Sequence, residues 1–325
     1  MAAANPGIYE VVDRRFAPLT RGDVGLEVLH TGCRWTEGPV YVPAGRYLLW
    51  SDIPNDRILR WDEQTRHVGV FRSPAGYTNG HTLDRYGRLV SCEHGARRVT
   101  RTEHDGSITV LADRFDDRRL NSPNDVVVAA DDAVWFTDPA YGIDSVYEGH
   151  LAASEIGSSN VYRVDPATGD CRLMRDDCVR PNGLAFSADQ RTLYVSDTGA
   201  SHVPDGPRHI RRFDVVGDAV AGVRLVGGEV FATCTVGAFD GFRLDADGRI
   251  WSSAGDGVHC YDADGTLLGK ILVPEVVANV VFGGPKRNHL FICATTSVYA
   301  VMLPVAGAPV AVDRVGADGG AGHRA

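Results

Sequence analysis

A hairpin-like segment recurs six times along the chain, and few folds accommodate such a repeat. The copies begin at Thr36 (TEGPVYVPAGRYLLWSD), Thr78, Ser122, Arg180 (RPNGLAFSADQRTLYVSDTG), Phe239 and Ala278, the last being the weakest. Each reads as a polar head, a short strand, a tight turn and a second strand. The turns are rich in Asp, Gly, Asn and Arg, as hairpin loops require. Most copies are followed by a second alternating pair, such as DRILRWDEQTRHVGVF or SNVYRVDPATGDCRLM. Six units of four antiparallel strands predict an all-β six-bladed propeller. The sixth copy has only one further clear strand, SVYAVML, and GLEVLHTGC at 25–33 supplies the missing one. That pairing closes the circle and hides the sheet edges an open array would expose. Two β-sandwich domains would explain neither the repeat nor its polar heads. The expected organisation is an N-terminal extension over 1–23, one propeller domain over 24–305, and a partly flexible tail over 306–325.

Composition bounds the partners. A net charge of −9 disfavours nucleic acid, and the basic pairs Arg97-Arg98 and Arg118-Arg119 are too short to bind it. Seven cysteines, an odd count without C-x-x-C spacing, predict reduced thiols rather than disulfides or a zinc site. No window is apolar and long enough to span a bilayer, and the N-terminus lacks a signal-peptide pattern. The expectation is a cytoplasmic protein without a nucleic-acid or membrane partner. A homodimer is compatible with the sequence.

The residues heading the first strands are Glu37, Asn79, Asn124, Asn182, Asp240 and Asn279, at intervals of 42, 45, 58, 58 and 39 residues. In a propeller these positions line one mouth of the central channel. The set offers only carboxylates and amides, which suits a hard dication such as calcium or magnesium. Glu37 and Asp240 would balance its charge, and Asn124 and Asn182 would fill further positions. Asn79 and Asn279 carry less weight, because six protein ligands leave no room for substrate. Turn chemistry alone accounts for Asn-Gly and Asp-Gly, but it does not demand Glu37.

The ends of the second strands should return to the same mouth. They are Ser51-Asp52, Glu93-His94, Thr137-Asp138, Ser196-Asp197, Ser252-Ser253 and Ala294-Thr295. Asp138 and Asp197 either bind directly or brace the site. The two longest intervals owe their excess to residues 139–157 and 198–209, both after a second strand. These segments read as walls or lids of a small-molecule pocket, with Tyr141 as a contact.

The stretches WTEGPVY, NGHTLDRYGRLVSCEHGARRVTR, LNSPNDVV, WFTDPAYG, RPNGLAFS and FDGFRLDADGRIW resemble the gluconolactonase family, related to senescence marker protein 30 (regucalcin). The resemblance runs from about Gly32 to Leu303. It implies a six-bladed propeller with one divalent cation in the channel. Calcium is the first expectation, with zinc, magnesium or manganese as alternatives. It further implies Glu37, Asn182 and Asp240 as protein ligands, with Asn124 at the metal or on the substrate. Asp240 doubles as general base for the hydrolysis of a sugar lactone such as glucono-1,5-lactone. His94, Asp138, Tyr141 and Asp197 are the further candidate substrate contacts. Animal members have an arginine two residues before the asparagine of the Asn-Asp pair. Here that place is Ser122, so their sugar contact does not carry over, and the pattern resembles the microbial branch. Two other readings use the same scaffold: an aryl-ester or phosphotriester hydrolase, and a non-enzymatic calcium-binding propeller.

Overall fold

The computed structural model describes residues 7–217 and 222–314. Residues 1–6 of the expected extension and 315–325 of the expected tail lie outside the described residues. The chain forms six antiparallel blades arranged as a propeller. Blade one runs through Thr36–Val42, Tyr47–Asp52, Arg57–Asp62 and Val68–Arg72. Blade four, the longest, runs from Pro181–Phe186 to Arg224–Thr233. In blade six the outermost strand is Glu27–Thr31, paired antiparallel with Ser297–Met302. The front of the chain therefore completes the last blade, as its sequence predicts.

The core lies in the seams between blades. Six clusters of buried apolar side chains occur, one per seam. Between blades two and three, for example, Val90, Cys92 and Val99 pack on Val126, Phe136 and Tyr162. The seam from blade six back to blade one is filled in the same way, by Phe291, Cys293 and Val298 against Tyr41, Leu48 and Trp50. This follows from strand alternation: both faces of an interior blade are covered, so both must be apolar. All seven cysteines are free and six are buried, acting as small hydrophobes.

The segment before residue 24 does more than extend the chain. Tyr9–Val11 pairs with Leu267–Leu272 as a fifth strand on blade five. The following 3-10 helix, Arg14–Leu19, places fully buried Phe16 in the seam between blades five and six. Gly269 makes the room: a Cβ there would sit 2.2 Å from the Phe16 ring. At the other end, Ala308 N–H donates to Leu244 C=O at 2.9 Å, fastening the C-terminal segment to blade five. No helix among the described residues is long and apolar enough to cross a membrane.

His81 packs between blades one and two. Its ring bonds Ser51 Oγ and Ser91 Oγ, both at 2.8 Å. Burial, then the nearby Arg72 charge, pushes its pKa down to about 3. The folded state therefore holds it neutral, while the unfolded chain takes up a proton below about 6.5. Its contribution to stability is full above that pH and falls as pH drops toward 3. At pH 5 the loss is about 2 kcal/mol. In urea titrations, the stability advantage of wild type over His81→Gln should shrink by about that amount between pH 7 and pH 5. A constant difference would contradict the assignment.

Candidate active site

In four of the six blades the ladder is irregular at the head. In blades one, two, four and six the inner-strand register slips at the head: between Glu37 and Val40, Thr78 and His81, Pro181 and Leu184, and Val277 and Asn279. Such a bulge re-aims a side chain without ending the strand. In blades three and five the heads, Asn124 and Asp240, lie just before the regular strands Val126–Val128 and Phe242–Leu244.

The heads are then handed from blade to blade. Ser51 Oγ donates to Asn79 C=O at 2.9 Å. Gly80 N–H donates to Asn124 C=O at 2.7 Å. Thr137 Oγ1 holds Asn182 C=O, and Ser196 Oγ holds Asp240 C=O, both at 2.7 Å. Gly241 N–H donates to Ala278 C=O at 2.8 Å. Asn279 Nδ2 completes the circuit, donating to Glu37 Oε2 at 2.9 Å. Where glycine follows the head, this approach requires it. A Cβ on Gly38 would lie 1.9 Å from Asn79 C=O, and one on Gly183 would lie 2.3 Å from Asp240 C=O.

Around the mouth, a cavity of about 190 Å³ is lined by Glu37, Asn79, Asn124, Asn182 and Asp240, with Trp35, Tyr141, Glu148, Thr198, Ser201 and His202. Both long loops contribute: Tyr141 and Glu148 from the first, Thr198, Ser201 and His202 from the second. Tyr141 is held in place by the Arg180 guanidinium, 5.1 Å from its ring centroid, and by the His202 ring at 5.3 Å. Arg180 is in turn paired with Asp144 at 2.7 Å.

Three expected substrate contacts, Asp138, Asp197 and His94, point elsewhere. Asp138 accepts the N–H groups of Asn121 and Ser122 at 2.8 and 2.9 Å. Asp197 accepts those of Val179 and Arg180, both at 2.8 Å. Asp52 does the same for Arg34 at 2.9 Å. These aspartates clamp the segment entering their own blade. Alternation along the second strand explains why: the preceding residue, Ser51, Thr137 or Ser196, faces the neighbouring head, so the aspartate faces away. His94 is buried behind the cavity wall, with Nδ1 3.1 Å from Glu148 C=O and Nε2 3.4 Å from Asn79 Nδ2. Burial pushes its pKa down to about 4. It positions the loop and is absent from the cavity lining.

Trp35, Glu148, Thr198, Ser201 and His202 escape sequence reasoning. Only the surplus length of the two loops marks where four of them would be found.

The electrostatics single out two groups. Glu37 is 3% exposed, and its pKa is raised, first by burial and then by the charges of Asp125 and Glu148, against the opposing Asn279 amide and Gly38 N–H. Asp240 is raised as well, by burial and then by Glu37, Glu148 and Asp125, while the Asn182 amide works the other way. Arg243 reaches into the channel only as far as Asp125, at 3.3 Å. No cation pairs with Glu37 or Asp240 among the described residues. Asn79 Oδ1 is also buried without a hydrogen-bond donor. Asn279, by contrast, is fully used, since its Oδ1 accepts from Val280 N–H at 2.8 Å.

The described residues contain no cluster of three His, Cys, Asp or Glu side chains able to hold a metal. A site here would instead consist of two carboxylates and amide oxygens, a donor set for a hard cation. Two mutually repelling carboxylates, Glu37 buried and Asp240 half-buried, and an orphaned amide oxygen around one cavity fit such an ion.

Comparison with known proteins follows this geometry. The pattern of the SMP-30/Gluconolactonase/LRE-like region matches residues 35–296. A gluconolactonase of Zymomonas mobilis is 30% identical over 292 residues, covering 85% of this chain and 80% of its own length. A pentonolactonase of Haloferax volcanii is 32% identical over 278 residues, covering 82% and 83%. The solved structure of a gluconolactonase from Xanthomonas campestris superposes with a TM-score of 0.83 at 37% identity, covering 94% of this chain and 99% of that one.

Proposed function

Because the chain belongs to the SMP-30/gluconolactonase/LRE-like family, we propose that it is a metal-dependent lactonase that opens sugar lactones to aldonic acids. The observation carrying this reading is the convergence of buried Glu37 and half-buried Asp240, with Asn124 and Asn182, on one loop-walled cavity. Glu37, Asn182 and Asp240 would hold the cation, with Asn124 beside it or on the substrate and the free Asn79 Oδ1 as a further acceptor. When bound, a divalent cation, calcium first among the candidates, polarises the lactone carbonyl and favours the ionised carboxylates.

The chain's own groups supply the rest. Asp240 accepts a proton from the attacking water, a role that typically contributes about 10²–10⁴-fold. Asn182, which faces both Asp240 and the Tyr141 hydroxyl, fixes that carboxylate's orientation. Trp35 and Tyr141 provide flat apolar walls against the sugar ring, and Thr198 and Ser201 offer hydroxyls to it. The two loops restrict water around the reacting carbonyl.

The test is a panel of aldonolactones assayed after chelation and after reloading with calcium, zinc, magnesium or manganese separately. Chelated protein should lose hydrolysis and at least one ion should restore it. The restoring ion should also raise the thermal midpoint, because it binds the folded state alone. Full activity in a metal-free Glu37→Gln variant would overturn the metal role.

A further inference from the structure

Glu148 is the one carboxylate of the cavity that neither the cation nor the water step uses. It sits on the loop between the second and third strands of blade three, and that loop is pinned. His150 N–H donates to Gly142 C=O and Ala152 N–H to Ile143 C=O, both at 3.0 Å. Glu148 C=O meets His94 Nδ1 at 3.1 Å, and Tyr147 Oη reaches Arg34 C=O on the blade-one side of the mouth at 3.5 Å. Gly142 and Gly149 are in contact, since a Cβ on Gly149 would lie 2.3 Å from Gly142 C=O. The backbone of Glu148 is therefore fixed, and its side chain lines the cavity.

Among the described residues no hydrogen bond or ion pair engages its carboxylate. The nearby cation, Arg180, is committed to Asp144 at 2.7 Å. The charge of Glu148 is felt at both Glu37 and Asp240. Burial raises the Glu148 pKa to about 7, so above that pH, where a bound dication balances the pair, Glu148 stands as surplus negative charge on the wall. An unengaged carboxylate accepts several hydroxyl hydrogen bonds and repels anions.

We infer that Glu148 is the residue by which this pocket selects uncharged polyhydroxy lactones over lactones bearing an anionic substituent. The inference rests on the lactonase reading, and its test separates the two. kcat/KM is measured for glucono-1,5-lactone and for its 6-phosphate, with wild type, Glu148→Gln and Glu148→Asp. Calorimetry measures binding of 1,5-anhydroglucitol and its 6-phosphate to the same proteins. Wild type should prefer the neutral lactone. Glu148→Gln should reduce that preference by about 10-fold or more, through gain on the phosphorylated substrate. Glu148→Asp, which keeps the charge, should stay within about 3-fold of wild type. An unchanged ratio, a parallel loss on both lactones, or a wild type without preference overturns the role of Glu148 and leaves lactone hydrolysis standing. Should neither lactone be hydrolysed, the lactonase reading fails. The binding ratio then decides: a shift in Glu148→Gln supports the selection, and equal ratios overturn it.

Discussion

Asp240→Asn should hydrolyse sugar lactones about 10²–10⁴-fold more slowly than wild type, with the loss in kcat rather than KM. The amide keeps the shape and an oxygen for the cation, but it cannot take a proton from water. The fold should survive, because the position is held through its main chain: Ser196 Oγ binds its C=O and Ser253 Oγ accepts its N–H at 2.8 Å. Without metal the variant should even be more stable than wild type, since one of two repelling carboxylates is gone. Single-turnover kinetics and metal-free denaturation measure both halves. A variant within 3-fold of wild type in kcat would remove Asp240 from proton transfer, whatever its place in the cation site.

Gly38→Ala should destabilise the protein by about 3 kcal/mol or more. Gly38 has φ +54, and its added Cβ would fall 1.9 Å from Asn79 C=O, with Gly80 Cα at 2.9 Å. Both neighbours are backbone, so no rotamer change relieves the clash. Relief requires blades one and two to separate at their innermost strands, which would also displace Glu37 and Asn79. Gly106 is the control: it too has positive φ, at +86, but nothing lies within 4 Å of its would-be Cβ. Gly106→Ala should cost only about 1 kcal/mol. Chemical denaturation of the two variants gives the comparison. Equal costs would mean that conformation alone, and not the inter-blade contact, sets the glycine requirement.

The propeller was legible because its information is repeated. Six heads, six turns and a missing strand with a spare at the front leave one closed arrangement. The heads of the site were legible for the same reason, since equivalent positions in equivalent blades must face one axis. What failed was direction at the strand ends. Asp138 and Asp197 carry the same letters whether they turn inward or clamp a backbone, and only the pairing of Thr137 and Ser196 with the next blade decides it. Glu148 was invisible for another reason. It lies in a loop without periodicity, and its place depends on contacts with His94 and Arg34, far away in sequence. The strand at Tyr9–Val11 was missed because three residues give no alternation to read.

Blade six, whose outer strand comes from the front of the chain, bears on biosynthesis. Glu27–Thr31 leaves the ribosome before any of the inner strands, but its partner Ser297–Met302 follows every other strand among the described residues. Until then the early strand waits as an open edge, and five blades form an arc rather than a circle. The donor that orients Glu37 is Asn279, 242 residues downstream. The cation site therefore cannot be finished during translation. A nascent chain that folds blade by blade acquires its chemistry in one late event, when Glu27–Thr31 meets Ser297–Met302.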